Sequence, residues 1–370
     1  MDTPTQALLG AVVGQAFFGE KLGRRAVVWG ALGGALPDTD ILAIGFLGPW
    51  AEFLYHRGPT HALWFGPVVG SMIGYGVWRG YARGYRRKVQ AGGGRGPEGS
   101  AARFLHPALH PGSLSLLGSW VGLFVLALFT HPLLDLFTTY GTQLLSPFSN
   151  RRFAIHAVSI IDPLYSLILA AALLVAFVKG ARSRIATRAA LLAAVISTAY
   201  LFYGLWLNVR AEGIVREQLA GQGILEARVR CYPTILQVYL LRAVVWTPDE
   251  VRVGLISMWK PAPVRWQRFS VSDGPLVQTV RNTWEGRTFE WFALGDTLPR
   301  VVEQDGVVVV EITDLRYGFP RGAESGLWGI RAAFDPQGRM LNGVRRFRRS
   351  FPSKQAVLLD LWRATFGTGL

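Results

Sequence analysis

The sequence predicts a polytopic α-helical membrane domain followed by a small α+β extracytoplasmic domain. Three observations carry this expectation. Half of the 370 residues are hydrophobic, and mean hydropathy is +0.26. The long apolar runs are confined to roughly the first 207 residues, beyond which the texture turns alternating and charged. The first part holds 17 Lys/Arg against 8 Asp/Glu and the second 22 against 16, so the net +15 divides into +9 and +6. The chain is therefore divided into a helical membrane domain at 1–207 and an α+β domain at 208–370.

Taken in order, residues 7–18 (ALLGAVVGQAFF) and 26–36 (AVVWGALGGAL) are apolar. Both fall short of the ~20 residues a spanning helix needs, and their glycines suit close packing against neighbours. A basic turn with Lys21, Arg24 and Arg25 separates them. The runs 62–78, 114–130, 160–178 and 189–207 are the spanning candidates, the last being the cleanest. Asp2 and the absence of a basic start argue against a cleavable signal. The tail opens with a helical stretch at 208–219. Segments 237–247, 250–258 and 307–312 are β-branched and partly alternating, which predicts strands. Segment 283–291 suits a short helix or a further strand.

Orientation follows from the basic loops. Seven Lys/Arg lie in 79–112 and four in 179–188, whereas 131–159 has only Arg151 and Arg152. The rule that basic loops stay inside places the first two, with the turn at 19–25, in the cytoplasm. Alternation then puts 37–61, 131–159 and the tail on the far side of the membrane. The same rule accounts for the basic charge without nucleic acid, so no nucleic-acid partner is expected and membrane lipid is. The stretch AGGGRGPEG (91–99) inside the basic loop is a flexible linker. A single cysteine, Cys231, excludes an internal disulfide and a thiolate metal cluster.

Chemistry concentrates in two places. The stretch 37–61 opens with Asp38 and Asp40 and closes with His56 and His61, and His131-Pro-Leu-Leu-Asp135 ends another apolar run. A charged aspartate costs roughly 2.5–3.5 kcal/mol at a helix centre and less near the interface, so such acids call for cations, donors or a metal. His56 and His61 bracket a turn at Gly58-Pro59. His131 and Asp135 share a helix face if the helix continues through Pro132. Imidazole and carboxylate suit zinc and its neighbours. The candidate ligands are therefore Asp38, Asp40, His56, His61, His131 and Asp135, with Asp38 and Asp40 also the candidate catalytic bases. A helix or turn cap is the simpler role for Asp38 and Asp40, and Asp162 before Pro163 reads as a helix N-cap. His106 and His110 lie in the cytoplasmic loop beside helix-breaking prolines and read as structural.

The phrases ALPDTDIL, YHRGPTHALW, THPLLDLFTTYGTQLLSPFSNRRFA and IIDPLYSL, in this order, resemble the YdjM-like membrane-bound metal-dependent hydrolases. The likeness covers about residues 1–180, and TDLRYG (313–318) resembles the extension of longer members. Members typically carry an early Thr-His where this chain has Thr5-Gln6. If that histidine is a ligand in the family, Gln6 marks a lost ligand or one replaced by its carbonyl. The scattered His/Asp order is also similar to the helical zinc-dependent phospholipase C group. The resemblance implies a metal-dependent hydrolase, with a divalent ion of the zinc type, acting on a phosphoester or other ester of a lipid-like substrate. The alternative is a non-catalytic membrane protein whose His/Asp residues form a structural metal or polar network.

Overall fold

The computed structural model describes residues 1–91, 113–260, 262–304, 307–318, 326–349 and 353–367. Most of the basic loop, including Arg95, Arg103, His106, His110 and the linker at 92–99, lies outside the described residues.

Helix α1 (Thr3–Leu22) starts at an Asp2 N-cap, whose carboxylate accepts from the Thr5 amide, and α2 (Arg24–Ala35) follows after Gly23. The two pack at backbone distance. A Cβ on Gly10 would lie 2.2 Å from the Gly30 carbonyl oxygen, and one on Gly34 2.3 Å from that of Gln6. This approach brings Gln6 and the end of α2 into one layer. A 3-10 turn (Leu36–Thr39), α3 (Asp40–Ile44), α4 (Ala51–Tyr55) and a second 3-10 turn (Pro59–His61) then wind back over that end. A π-helical turn (Gly66–Gly70) leads into α5 (Ser71–Ala91). Helices α6 (Leu117–Leu136), α7 (Pro163–Lys179) and α8 (Arg184–Ala220) complete the helical part. Asp162 caps α7 through the Tyr165 amide, as its place before Pro163 suggested.

Two helical stretches among the described residues are long and apolar enough to cross a membrane, Leu114–Leu136 and Arg184–Ala220. This corrects the expectation of four such runs. Segment 62–78 does not make one helix, because the chain enters the π turn only at Gly66 and α5 runs on into Arg79 and Arg83. Helix α7 is apolar but shorter, since it begins only after the Asp162 cap. The run 189–207 and the tail's opening helix are one continuous rod, α8.

The tail contains two four-stranded antiparallel meanders. The first is β1 (Arg228–Pro233), β2 (Leu240–Trp246), β3 (Glu250–Ser257) and β4 (Gln267–Ser270). The second is β5 (Thr297–Gln304), β6 (Val307–Asp314), β7 (Trp328–Phe334) and β8 (Arg345–Arg348). Between them lie α9 (Pro275–Asn282) and α10 (Trp284–Phe292), the latter capped by Thr283, and α11 (Lys354–Phe366) ends the described chain. Segment 283–291 thus chose helix, consistent with a Thr N-cap at its start. The first sheet packs on Ala211, Val215 and Leu219 of α8 through Val229, Cys231, Leu241 and Val245. The second shares a core with Phe53 and Tyr140 of the helical part. Asn208 Nδ2 donates to the carbonyls of His156 and Cys231, at 2.8 and 2.7 Å. Arg316, from the TDLRYG phrase, donates to the carbonyls of Thr139 and Tyr140. The basic residues Arg24, Arg25 and Arg182 line a cleft at the opposite end of the helices.

Candidate metal centre

Four of the six expected ligands meet in one buried cluster, Asp38, His61, His131 and Asp135. Asp38 sits in the first 3-10 turn, which Pro37 initiates, and His61 closes the second. His131 and Asp135 lie one turn apart on α6, which continues through Pro132, so both point to the same side. His61, His131 and Asp135 are essentially sealed from solvent, and Asp38 retains 8% exposure.

One atom of each residue faces a common centre. The two Nε2 atoms are 3.0 Å apart. His61 Nε2 lies 3.4 Å from Asp38 Oδ1 and 3.4 Å from Asp135 Oδ2, while His131 Nε2 lies 3.4 and 3.6 Å from the same oxygens. Donors ~2.0–2.1 Å from one ion at tetrahedral angles would be spaced by ~3.3–3.4 Å. The observed edges fit that geometry.

The surrounding hydrogen bonds free these atoms for a cation. His131 Nδ1 donates to the Gly34 carbonyl at 2.6 Å, which in the neutral ring leaves Nε2 as a bare lone pair. His61 Nδ1 lies 2.9 Å from Thr60 Oγ1, and Thr60 Oγ1 donates to Asp40 Oδ2 at 3.1 Å. A His61–Thr60–Asp40 chain in that direction also leaves the His61 Nε2 lone pair pointing inward. Two lone pairs at 3.0 Å repel unless a positive charge lies between them. The carboxylates follow the same plan. Asp38 Oδ2 accepts from Thr3 Oγ1 at 2.7 Å. Asp135 Oδ1 accepts from Gln6 Nε2 at 3.0 Å, from the Met1 nitrogen, and pairs with Arg57 Nη2 at 3.2 Å. Asp135 Oδ2 is buried with no hydrogen-bond partner among the described residues. A buried carboxylate oxygen left unpaired is costly, and a divalent ion at the centre would satisfy it.

Electrostatics favour the ligand-competent states of His61 and Asp38. Burial pushes His61 down to about 4 against the pull of Asp38, so the ring is neutral at pH 7. Burial opposes charge on Asp38 too, but hydrogen bonds with His131 and His61 outweigh it and hold the carboxyl well below its usual range.

Asp40 and His56 fall outside the cluster and form its backing. His56 Nδ1 is 2.9 Å from Asp40 Oδ1, and the Arg57 amide reaches Asp40 Oδ2 at 3.3 Å. Arg57 adopts a left-handed backbone (φ 59°), which reverses the chain between His56 and His61 and turns the two rings to different sides of Asp40. Asp40 is thereby a carboxylate behind a histidine, the arrangement that fixes ring orientation in metal sites. Gln6 presents its amide nitrogen, not its carbonyl, because both of its neighbours, Asp135 Oδ1 and the His131 carbonyl, are acceptors. Thr3, Thr60 and the Gly34 carbonyl are parts of the site that the motifs did not reveal. Of these only Thr60, beside His61, had any signal in the sequence.

The fold and the site together define a helical protein with two membrane-length helices and a buried two-histidine, two-aspartate centre. Residues 1–211 match the YdjM inner membrane protein family, and the chain belongs to it. No curated protein and no solved structure matches the chain.

Proposed function

We propose that the protein is a polytopic, metal-dependent membrane hydrolase that cleaves a phosphoester or other ester of an amphiphilic, lipid-like substrate. The observation that carries this is the convergence of two imidazole nitrogens and two carboxylate oxygens on one buried centre, all within 4.8 Å of one another, one oxygen having no hydrogen-bond partner among the described residues. Asp38, His61, His131 and Asp135 would hold a divalent ion of the zinc type, which would supply Lewis acidity to the reaction. Arg57 and Gln6 hold Asp135 in place, Thr3 holds Asp38, and Gly34 and Thr60 orient the two rings. Asp40 and His56 lie at the more open rim as a carboxylate–imidazole pair able to accept a proton. Helix α3, which begins at Asp40, exposes Leu42, the loop after it exposes Phe46 and Leu47, and Phe148 is exposed as well, which supports a lipid-facing mouth. The separation of Arg24, Arg25 and Arg182 from the centre and tail supports an extracytoplasmic site and tail.

One observation favours the second reading, a structural site in a non-catalytic protein. All four donors come from the protein and are buried, as in closed structural zinc sites. Elemental analysis of the full chain and of His131→Ala, followed by turnover assays on short-chain phospholipids and carboxyl-ester lipids, separates the cases. The hydrolase reading expects about one metal equivalent per chain, none in the variant, and metal-dependent turnover. Bound metal without turnover on either ester class leaves the structural reading in its place, and absence of metal overturns both.

A further inference from the structure

Helix α11 is built inside out. Its face toward the tail carries Asp360, Leu361 and Thr365, all buried, so two of the three inward residues are polar. Its outward face carries Leu358, Leu359, Trp362 and Phe366, at helical spacing and all exposed, Trp362 to 66%. The helix is nonetheless firmly seated. Ser257 Oγ donates to the Thr365 carbonyl at 2.7 Å, Gln237 Nε2 donates to Thr365 Oγ1 at 2.8 Å, and Ser353 caps the first turn. Such a face is unfavourable in water and stable only against an apolar phase.

What covers it is indicated by an unbroken line of rings leading to α8. Trp362 packs on Phe366 (4.5 Å between centroids), Phe366 on Trp259 (5.3 Å) and Trp259 on Tyr239 (5.6 Å). Tyr239 meets Tyr203 (6.2 Å), which stacks on Trp206 (5.7 Å). Tyr203 and Trp206 stand on the exposed side of α8, one of the two membrane-length helices. From Arg184 to Trp206 that helix rises ~33 Å, close to the ~30 Å of a hydrocarbon core. Trp206 thus lies where interfacial aromatics belong, with the Arg210 guanidinium over its ring at 5.4 Å. Exposed Lys260 and Arg363 add cations along the same line, suited to lipid phosphates.

We propose that α11 is an interfacial helix, lying in the headgroup region of the bilayer with Leu358, Leu359, Trp362 and Phe366 among the acyl chains, level with Trp206. Its occupant is the phospholipid surface itself. A second copy of the chain would have to cover this face together with the aromatic end of α8, which the bilayer already bounds. The tail is then pinned to the membrane at two points, α8 and α11. This inference rests on membership of a membrane family and on α8, and is independent of the metal centre.

The test uses the full chain in nanodiscs of phosphatidylcholine and phosphatidylglycerol. Single cysteines replace Leu359, Trp259, Leu192 (exposed on the middle of α8) and Thr279 (exposed on α9), and each carries a small fluorophore; native Cys231 is fully buried. Labels at Leu359, Trp259 and Leu192 should lose most of their emission to brominated acyl chains and little to aqueous iodide, with Thr279 doing the reverse. Because Trp259→Cys lies off the helix, it reports on the same surface if Leu359→Cys fails to fold. Labels at Leu359 and Trp259 that follow Thr279 overturn the proposal. Labels shielded from both quenchers overturn it too, and point to a second copy as the cover.

Discussion

Two of the sets of charged side chains buried in this protein are finished differently. Arg316 and Asp314, both sealed, complete one another: Arg316 Nε and Nη2 reach the two carboxylate oxygens at 3.0 and 2.8 Å, and Nη1 reaches two backbone carbonyls. The Arg316 amide and Trp328 Nε1 add two further donors to Asp314. At the centre, by contrast, each outer atom has a partner while the inner four face one another, and Asp135 Oδ2 has no hydrogen-bond partner among the described residues. Burial alone does not mark a functional site, since both sets are buried. What marks it is coordination left incomplete by the protein in one shared direction.

The comparison can be broken at several points, the largest effect first. Asp135→Ala should remove the ion altogether. For a zinc-type site that forfeits binding free energy on the order of 10 kcal/mol, seen as vanished metal in elemental analysis and a collapsed thermal midpoint. Arg316→Ala should leave metal content unchanged, yet cost ~3–5 kcal/mol by stranding the Asp314 charge; loss of metal in this variant would mean that the two sets are not independent.

Acid sharpens the contrast further. Burial pushes His156 down to about 3, and the ring is packed against Tyr232 away from the cluster. The unfolded chain takes up that proton near pH 6.5, while the folded one resists it, so stability falls as pH drops from 6.5 toward 3. By pH 4 the loss attributable to His156 is ~3 kcal/mol. His156→Asn, chosen because asparagine tolerates the residue's φ of 57°, should flatten the decline in melting temperature over that range. An unchanged slope would assign the acid sensitivity to other groups. The smallest effect is expected of Gln6→His, which sets an imidazole beside Asp135. Metal loss to a chelator should slow by about tenfold, and an unchanged rate would show that position 6 does not reach the ion.

Much of the centre was legible because its residues are expensive in apolar sequence. Asp38, His61, His131 and Asp135 stood out as charge and imidazole beside hydrophobic runs, and spacing alone paired the last two. Spacing could not separate them from Asp40 and His56, because their roles depend on the left-handed Arg57 that turns the rings apart. Thr3 and the Gly34 carbonyl were invisible for another reason. They reach the site only because four glycines, Gly10, Gly14, Gly30 and Gly34, let α1 and α2 touch. In the tail, alternation marked β2, β3 and β6. Hydropathy misjudged the helices in opposite senses: it saw a span at 62–78 where the chain bends, and broke α8 at residue 207 where only its surroundings change.

Helix α8 acts as both ruler and phase reference. Its 37 residues form one rod with no hinge between the membrane-length stretch and the tail. Near the crossing point Asn208 grips His156 of the helical part and Cys231 of β1 with the same amide nitrogen. The azimuth of the tail is thereby set by the helical turn, as a key is set by its keyway. One residue inserted between Trp206 and Asn208 would rotate everything beyond it by ~100° and advance it by ~1.5 Å. A tail on a flexible tether would be indifferent to such a change. This one would lose the register that brings Arg316 to Thr139 and Tyr140, a few residues from Asp135.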